Sequence, residues 1–114
     1  MICRKEDMRQ ETRIAMRGGE GPIALTHLLE SGDTFGKCRM VAKLTIPQGS
    51  GIGLHEHAEE AEMYIILQGE ATVTDNGETR LLHPGDSMIT GNGGTHSIAN
   101  QAAEDLVLYA IVVN

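Results

Sequence analysis

The stretch Gly51–Gly69 reads GIGLHEHAEEAEMYIILQG. A histidine pair and a run of glutamates lead directly into an apolar segment, and how that junction is read decides the fold. The chain contains five histidines, and two of them, His55 and His57, stand here one residue apart. In an extended strand residues i and i+2 share a face, so these two imidazoles point together and Glu56 points away. The following segment, Glu62–Leu67, is apolar on both faces. Tyr64 and Ile66 point one way, while Met63, Ile65 and Leu67 point the other. The stretch is either a metal site joined to a buried strand or a charged loop that precedes one.

The flanking sequence repeats the strand signature. Lys37–Ile46 alternates, with Met40, Ala42, Leu44 and Ile46 on one face and Arg39, Val41, Lys43 and Thr45 on the other. Pro47–Gly51 ends it. Ile23–Leu29 reads as an earlier strand, after a turn at Arg17–Pro22. Ala71–Thr74 and Glu78–Leu82 flank Asp75-Asn76-Gly77, a strong hairpin signal because the tight turn needs positive φ. His83–Asp86 is a further turn. Ser87–Thr90, Thr95–Asn100 and Leu106–Val113 complete the series, joined by Gly91–Gly94 and Gln101–Asp105. Many short strands with regular turns predict an all-β sandwich or small barrel. Residues 1–22 are expected to form an N-terminal arm, or a short helix, and a turn. Residues 23–114 are expected to form the single barrel domain.

The 114 residues suit one domain with its own core. The net charge of −7 and the scattered basic residues exclude nucleic acid as the expected partner. The aromatic residues are Phe35, Tyr64 and Tyr109, without tryptophan, so no base-stacking platform is expected. Cys3 and Cys38 form no CxxC pair and fit a reducing compartment. The opening MICRKEDMRQETR has no apolar core of a signal peptide, and no apolar run approaches the length of a membrane span, so a cytoplasmic protein with no membrane partner is expected. Glu62–Leu67 and Leu106–Val113 are apolar on both faces. One face can line the barrel and the other needs cover. A homodimer is expected, with the N-terminal arm as the alternative cover.

The chemistry gathers around the histidines. Glu62 opens the strand after the Ala58–Ala61 turn, and an antiparallel neighbour would bring its carboxylate beside His55 and His57. His96 starts a later strand behind a glycine turn. Three imidazoles and one carboxylate would suit one divalent first-row metal ion, whether manganese, iron, nickel, cobalt or zinc. An HxH pair alone is more often simply solvated, and Glu59 and Glu60 read as an ordinary charged loop. By the same parity, Gly51 and Gly53 share the face of His55 and would leave room above a metal. His27 and His83 lie outside this pattern, His27 in a strand and His83 in a turn. Asn100 is expected to bond backbone. Tyr64, two residues from Glu62, is a possible pocket residue; no catalytic residue can be named.

The full spacing resembles a known family. Gly49-x5-His55-x-His57-x4-Glu62-x6-Gly69 matches the first cupin motif at every defined position. Gly85-x5-Gly91-x-Gly93-x2-His96-x3-Asn100 matches the second motif except at Gly91, where the family usually has proline. The two motifs span residues 49–100. The resemblance implies an antiparallel double-sheet β-barrel of the cupin, or jelly-roll, type. It also implies a metal held inside by His55, His57, Glu62 and His96. Small bacterial single-domain cupins look most similar.

Such a centre would carry a net charge of about +1 and favour an anionic or chelating oxygen ligand. The expected function is that of a metal-dependent enzyme acting on a small oxygen-rich organic substrate, of dioxygenase, decarboxylase or isomerase type. The alternatives are a non-catalytic metal or small-ligand binding module or sensor, and a structural dimer with a vestigial site.

Overall fold

Alternating apolar positions need a second layer to bury against, and the chain supplies one by folding into two packed antiparallel sheets. The computed structural model describes residues 1–114. Its strands are β1 (Arg9–Ile14), β2 (Pro22–Leu29), β3 (Cys38–Ile46), β4 (Gly51–His57), β5 (Ala61–Gln68), β6 (Ala71–Asp75), β7 (Glu78–Leu82), β8 (Ser87–Thr90), β9 (Gly94–Ala99) and β10 (Leu106–Val113). The six-stranded sheet runs β1-β2-β3-β10-β5-β8 and the four-stranded sheet runs β4-β9-β6-β7. No helix is long and apolar enough to cross a membrane.

The face of β3 that alternation sets apart is the inward one: Ala42, Leu44 and Ile46 are buried and Met40 packs against them, partly buried. Ile23 and Leu25 of β2, Ala42, Leu44 and Ile46 of β3, Tyr64 and Ile66 of β5, and Leu106, Leu108 and Ala110 of β10 belong to one core with Ile52, Val73 and Ile98 of the opposite sheet. Each large apolar side chain buried in this way contributes roughly 1.5–3 kcal/mol. The hairpin forms as predicted, with Asn76 at φ 49° and Gly77 at φ 87° between the paired residues Asp75 and Glu78.

Three features differ from the sequence reading. The N-terminal segment forms β1, which pairs with β2 and extends the edge of the larger sheet. It therefore does not lie across β5 and β10. β4 and β5 are not neighbours. The Ala58–Glu60 turn carries the chain from one sheet to the other, because β4 pairs with β9 whereas β5 pairs with β10 and β8. Bulges also break the period of two. Residue 39 is the extra residue where Met40 pairs with Val112 and Cys38 with Val113. Gly53 and Leu54 oppose a single residue of β9, where Ile52 pairs with Ile98 and His55 with His96.

Candidate metal centre

The four residues singled out by spacing come together between the sheets. His55 and His57 descend from β4, and His96 sits directly opposite His55 on β9. Glu62 arrives from β5 across the interior rather than from a strand beside β4. His57, Glu62 and His96 are buried, and His55 is half-buried. One donor atom from each lies within 4.8 Å of every other.

The donor atoms face one another. Nδ1 of His55 donates to the Gly53 carbonyl at 2.7 Å, and Nδ1 of His57 donates to Glu60 Oε1 at 3.0 Å. Both rings therefore present the Nε2 lone pair inward. His96 Nε2 lies 3.0 Å from His57 Nε2 and 2.9 Å from His55 Nε2. Glu62 Oε1 lies 3.1 Å from His57 Nε2 and 3.0 Å from His96 Nε2. Lone pairs facing one another at these distances repel unless a proton or a metal lies between them. A separation near 3 Å is also the edge of an octahedron whose ligands stand about 2.1 Å from its centre, the usual distance for imidazole and carboxylate ligands on small divalent ions. The residues present thus fit a divalent metal ion, with two positions of a six-coordinate ion left open.

Electrostatics favour the ionised carboxylate. Burial pushes the Glu62 carboxyl up, but interactions with His55 and His96 and the nearby His57 ring outweigh it and hold the group at about 2. Tyr64 is fully buried and stacks on His96 with ring centroids 4.9 Å apart and planes 5° from parallel. Burial raises its hydroxyl well above the ordinary range, so the phenol keeps its proton. Neither the Tyr64 hydroxyl nor Nδ1 of His96 has a hydrogen-bond partner in the protein.

Two residues that sequence reasoning left aside support the cluster. Glu60, read as part of a charged loop, accepts from His57 Nδ1 and is gripped in turn by Arg39, whose Nε and Nη2 lie 2.8 and 2.7 Å from its two oxygens. The Arg39 guanidinium holds Glu60 at about 2. Simple alternation puts Arg39 on the face opposite Met40, and the bulge at residue 39 turns it toward the site instead. The HxH-to-Glu spacing contained a signal for Glu60, since a histidine that binds metal through Nε2 needs an acceptor at Nδ1.

Gly51 and Gly53 do not leave space above the donors. The β4 bulge shifts their parity, and Ile52 points inward instead. Their missing side chains admit backbone. A Cβ on Gly53 would collide with the Arg17 carbonyl and Gly19 nitrogen, and one on Gly51 would meet the Ile98 carbonyl. The segment Arg17–Gly19 thus lies directly on β4. Gly91 packs against Ala61, and its turn is closed by Gly94 N donating to Gly91 O and by Gly93 N donating to the His57 carbonyl, both at 2.9 Å. That turn is tied directly to a donor residue even without the proline.

The remaining histidines lie elsewhere. His27 is buried and bonded to Glu11 at 2.6 Å, and His83 pairs with Glu70 at the surface. Asn100 is fully buried and ties Ile46 O, Glu104 O and Ala102 N together, a structural role.

His55, His57 and Glu62 open into a cavity of about 50 Å³ that also touches Arg13, Met16, Arg17, Arg39 and Tyr64, while His96 lies behind it, stacked on Tyr64. A larger, open depression of about 600 Å³ lies along Gln48–Leu54 and Ser97–Gln101 and includes none of the four donors.

Comparison with known proteins places this geometry. Residues 42–112 match the family model described as "Cupin domain". The chain is 37% identical over 113 residues, 99% of its own length and 93% of the other, to a Thermotoga maritima protein named "Oxalate-binding protein". It also superposes with a TM-score of 0.94, at 37% identity and covering 99% and 98% of the two chains, on a crystal structure of a predicted oxalate decarboxylase from Thermotoga maritima. KdgF from a Halomonas species shares only the fold, with a TM-score of 0.69 at 18% identity over 91% of this chain and 86% of that one. The mannose-1-phosphate guanylyltransferase ManC of Salmonella typhimurium is 34% identical over 72 residues, 63% of this chain, which span only 14% of that enzyme. Motif spacing, two-sheet topology and these matches agree: the chain belongs to the cupin family.

Proposed function

We propose that this chain binds one divalent metal ion through His55, His57, Glu62 and His96 and uses it to hold a small chelating carboxylate of the oxalate class. The carrying observation is the donor cluster itself, four groups whose donor atoms all lie within 4.8 Å of one another, three of them lining a cavity of about 50 Å³ rimmed by arginine. When bound, the ion supplies positive charge and Lewis acidity at two open positions. The chain's own residues do the rest. Arg39 and Glu60 orient His57, the Gly53 carbonyl orients His55, and Tyr64 stacks on His96. A cavity this small suits two or three carbons. The Thermotoga maritima relative named for oxalate binding supports the same ligand class.

A binding role is favoured over turnover by the carboxylates around the site. Glu11 and Glu60 are both held at about 2 by arginine, so neither is available as a general acid. One observation favours a second reading, decarboxylation. The Tyr64 hydroxyl is protonated and buried beside the Glu62 carboxylate, placed to deliver the proton that replaces carbon dioxide on the remaining carbon. Calorimetry of manganese-loaded protein with oxalate tests the first reading. Assay of formate and carbon dioxide in the same samples separates the second. Absence of oxalate binding by the loaded protein defeats both.

The chain is further proposed to be a homodimer joined through the outer face of the larger sheet. Met63, Ile65, Tyr109 and Ile111 lie there half-buried on β5 and β10, beside Ile89, which is 61% exposed.

A further inference from the structure

We infer that Arg17 is the residue that selects a doubly charged anion at this site, presented there by a strained turn that runs along the cavity. The inference rests on the carboxylate-binding reading above and names the group that would read the second carboxylate.

The cavity is lined by three arginines, Arg13, Arg17 and Arg39. Two of them are engaged. Arg13 Nε donates to Glu11 at 2.8 Å, and Arg39 holds both oxygens of Glu60. Arg17 makes no ion pair and no side-chain hydrogen bond. The charge count follows. The Arg13–Glu11 and Arg39–Glu60 pairs are each neutral. A divalent ion with Glu62 leaves about +1, and Arg17 adds +1. The residual charge matches two negative charges, one on a group that chelates and one on a group that meets a guanidinium, which suits planar carboxylates.

The backbone supports the same role. Ala15 (φ 53°, ψ 45°) and Arg17 (φ 52°, ψ 32°) both adopt the left-handed conformation, which is unfavourable for residues with a Cβ. Such strain persists only where the surroundings over-determine it, and it clusters at ligand-binding sites. Here the surroundings are fixed. Ala15 N donates to Gly21 O, Gly19 N donates to Met16 O and Gly51 N donates to Glu20 O. The missing side chains of Gly19 and Gly53 let the segment lie flush on β4. The strained turn places residue 17 both against β4 and in the lining of the cavity.

The test compares wild type, Arg17→Gln and Arg17→Gly, each loaded with Mn²⁺ and titrated with oxalate and with glycolate. Glycolate is a chelator of similar size carrying one charge. Both variants are expected to lose at least thirtyfold in oxalate affinity while glycolate and Mn²⁺ affinities stay within threefold. The metal-free Arg17→Gly protein is expected to unfold at an equal or higher midpoint, because glycine relieves the left-handed strain. If wild type binds oxalate and Arg17→Gln binds it within threefold, Arg17 does not read the second charge, although the ligand class stands. If oxalate and glycolate, or Mn²⁺, weaken together, the turn is merely structural and the inference fails. A lower midpoint for Arg17→Gly overturns the strain argument. If loaded wild type ignores oxalate altogether, the underlying reading falls first.

Discussion

The Nε2 atoms of His57 and His96 stand 3.0 Å apart inside the protein, and the outer nitrogen of His57 is already committed to Glu60. Metal loading should displace any proton held between these donors, so metal affinity should fall as pH is lowered. Calorimetry in buffers of different ionisation enthalpy would read the released protons. His57→Ala and Glu62→Gln should each abolish stoichiometric metal in untagged protein, as measured by elemental analysis. Unchanged metal content in either variant would show that the ligand set is wrong.

The pair Arg39–Glu60 acts on the cluster at one remove. Glu60→Gln keeps an acceptor for His57 Nδ1 but loses the charge that stiffens it, and Arg39→Ala frees Glu60 to move. Each should weaken metal binding by roughly 10- to 100-fold without altering the fold. Competition against a chelator, with circular dichroism as the control, measures this. Affinity within a factor of two of wild type would reduce Glu60 to an ordinary surface carboxylate.

The strap across β4 predicts a glycine that cannot be replaced. Gly53→Ala would drive its Cβ into the Arg17 carbonyl and the Gly19 amide, both backbone atoms that cannot swing aside. A cost of about 1–3 kcal/mol is expected, the usual range for overpacking. Gly77→Ala is the informative contrast, because its Cβ would meet nothing within 4 Å and the loss there would come from φ 87° alone. Denaturant unfolding compares them. Ligand affinity should fall in Gly53→Ala and stay unchanged in Gly77→Ala.

What was legible in the sequence was whatever depends on period two. The inward set on β3, the shared face of His55 and His57, and the alignment of Glu62 with Tyr64 all follow from alternation, and all hold. What could not be read is what bulges and sheet changes decide. Alternation alone puts Arg39 opposite Met40 and Gly53 on the face of His55, and a single extra residue inverts that parity without leaving a mark in composition. Glu62 was brought in from a neighbouring strand, whereas the Ala58–Glu60 turn carries the chain between sheets. β1 was hidden because its exposed charged side chains, Arg9, Glu11 and Arg13, pair with one another and with β2 rather than alternating with apolar ones.

That edge pairing sets a pH dependence. The Arg13 guanidinium, with His27 next, holds Glu11 at about 2 against an ordinary value of 4.5. A depressed carboxyl pKa stabilises the fold above the unfolded-state value, and this contribution is lost as pH falls from about 4.5 toward 2. The Glu11 side chain is 28% exposed, so solvent screening leaves about 1–2 kcal/mol at neutral pH. Glu11→Gln should lower neutral-pH stability by that amount and flatten the stability curve below pH 4.5. Urea unfolding across that range decides it. Parallel curves for the two proteins would show that Glu11 contributes nothing through ionisation.

The outer face of β5 and β10 carries the last prediction. Tyr109 pairs with Ile65 and Ile111 with Met63, so four large side chains form one continuous half-buried patch. The N-terminal strand cannot cover them, because β1 extends the sheet edge beside β2. A second copy of this chain would cover the patch by presenting the same face, the symmetric arrangement that most homodimers adopt. Light scattering should give twice the mass of one chain at micromolar concentration. Ile65→Asp should halve that mass, since an unpaired carboxylate at the centre of an apolar interface costs several kcal/mol. The metal content of the monomeric variant should be unchanged, because Ile65 faces away from Glu62 and Tyr64 on the same strand. A wild-type mass of one chain would remove the dimer.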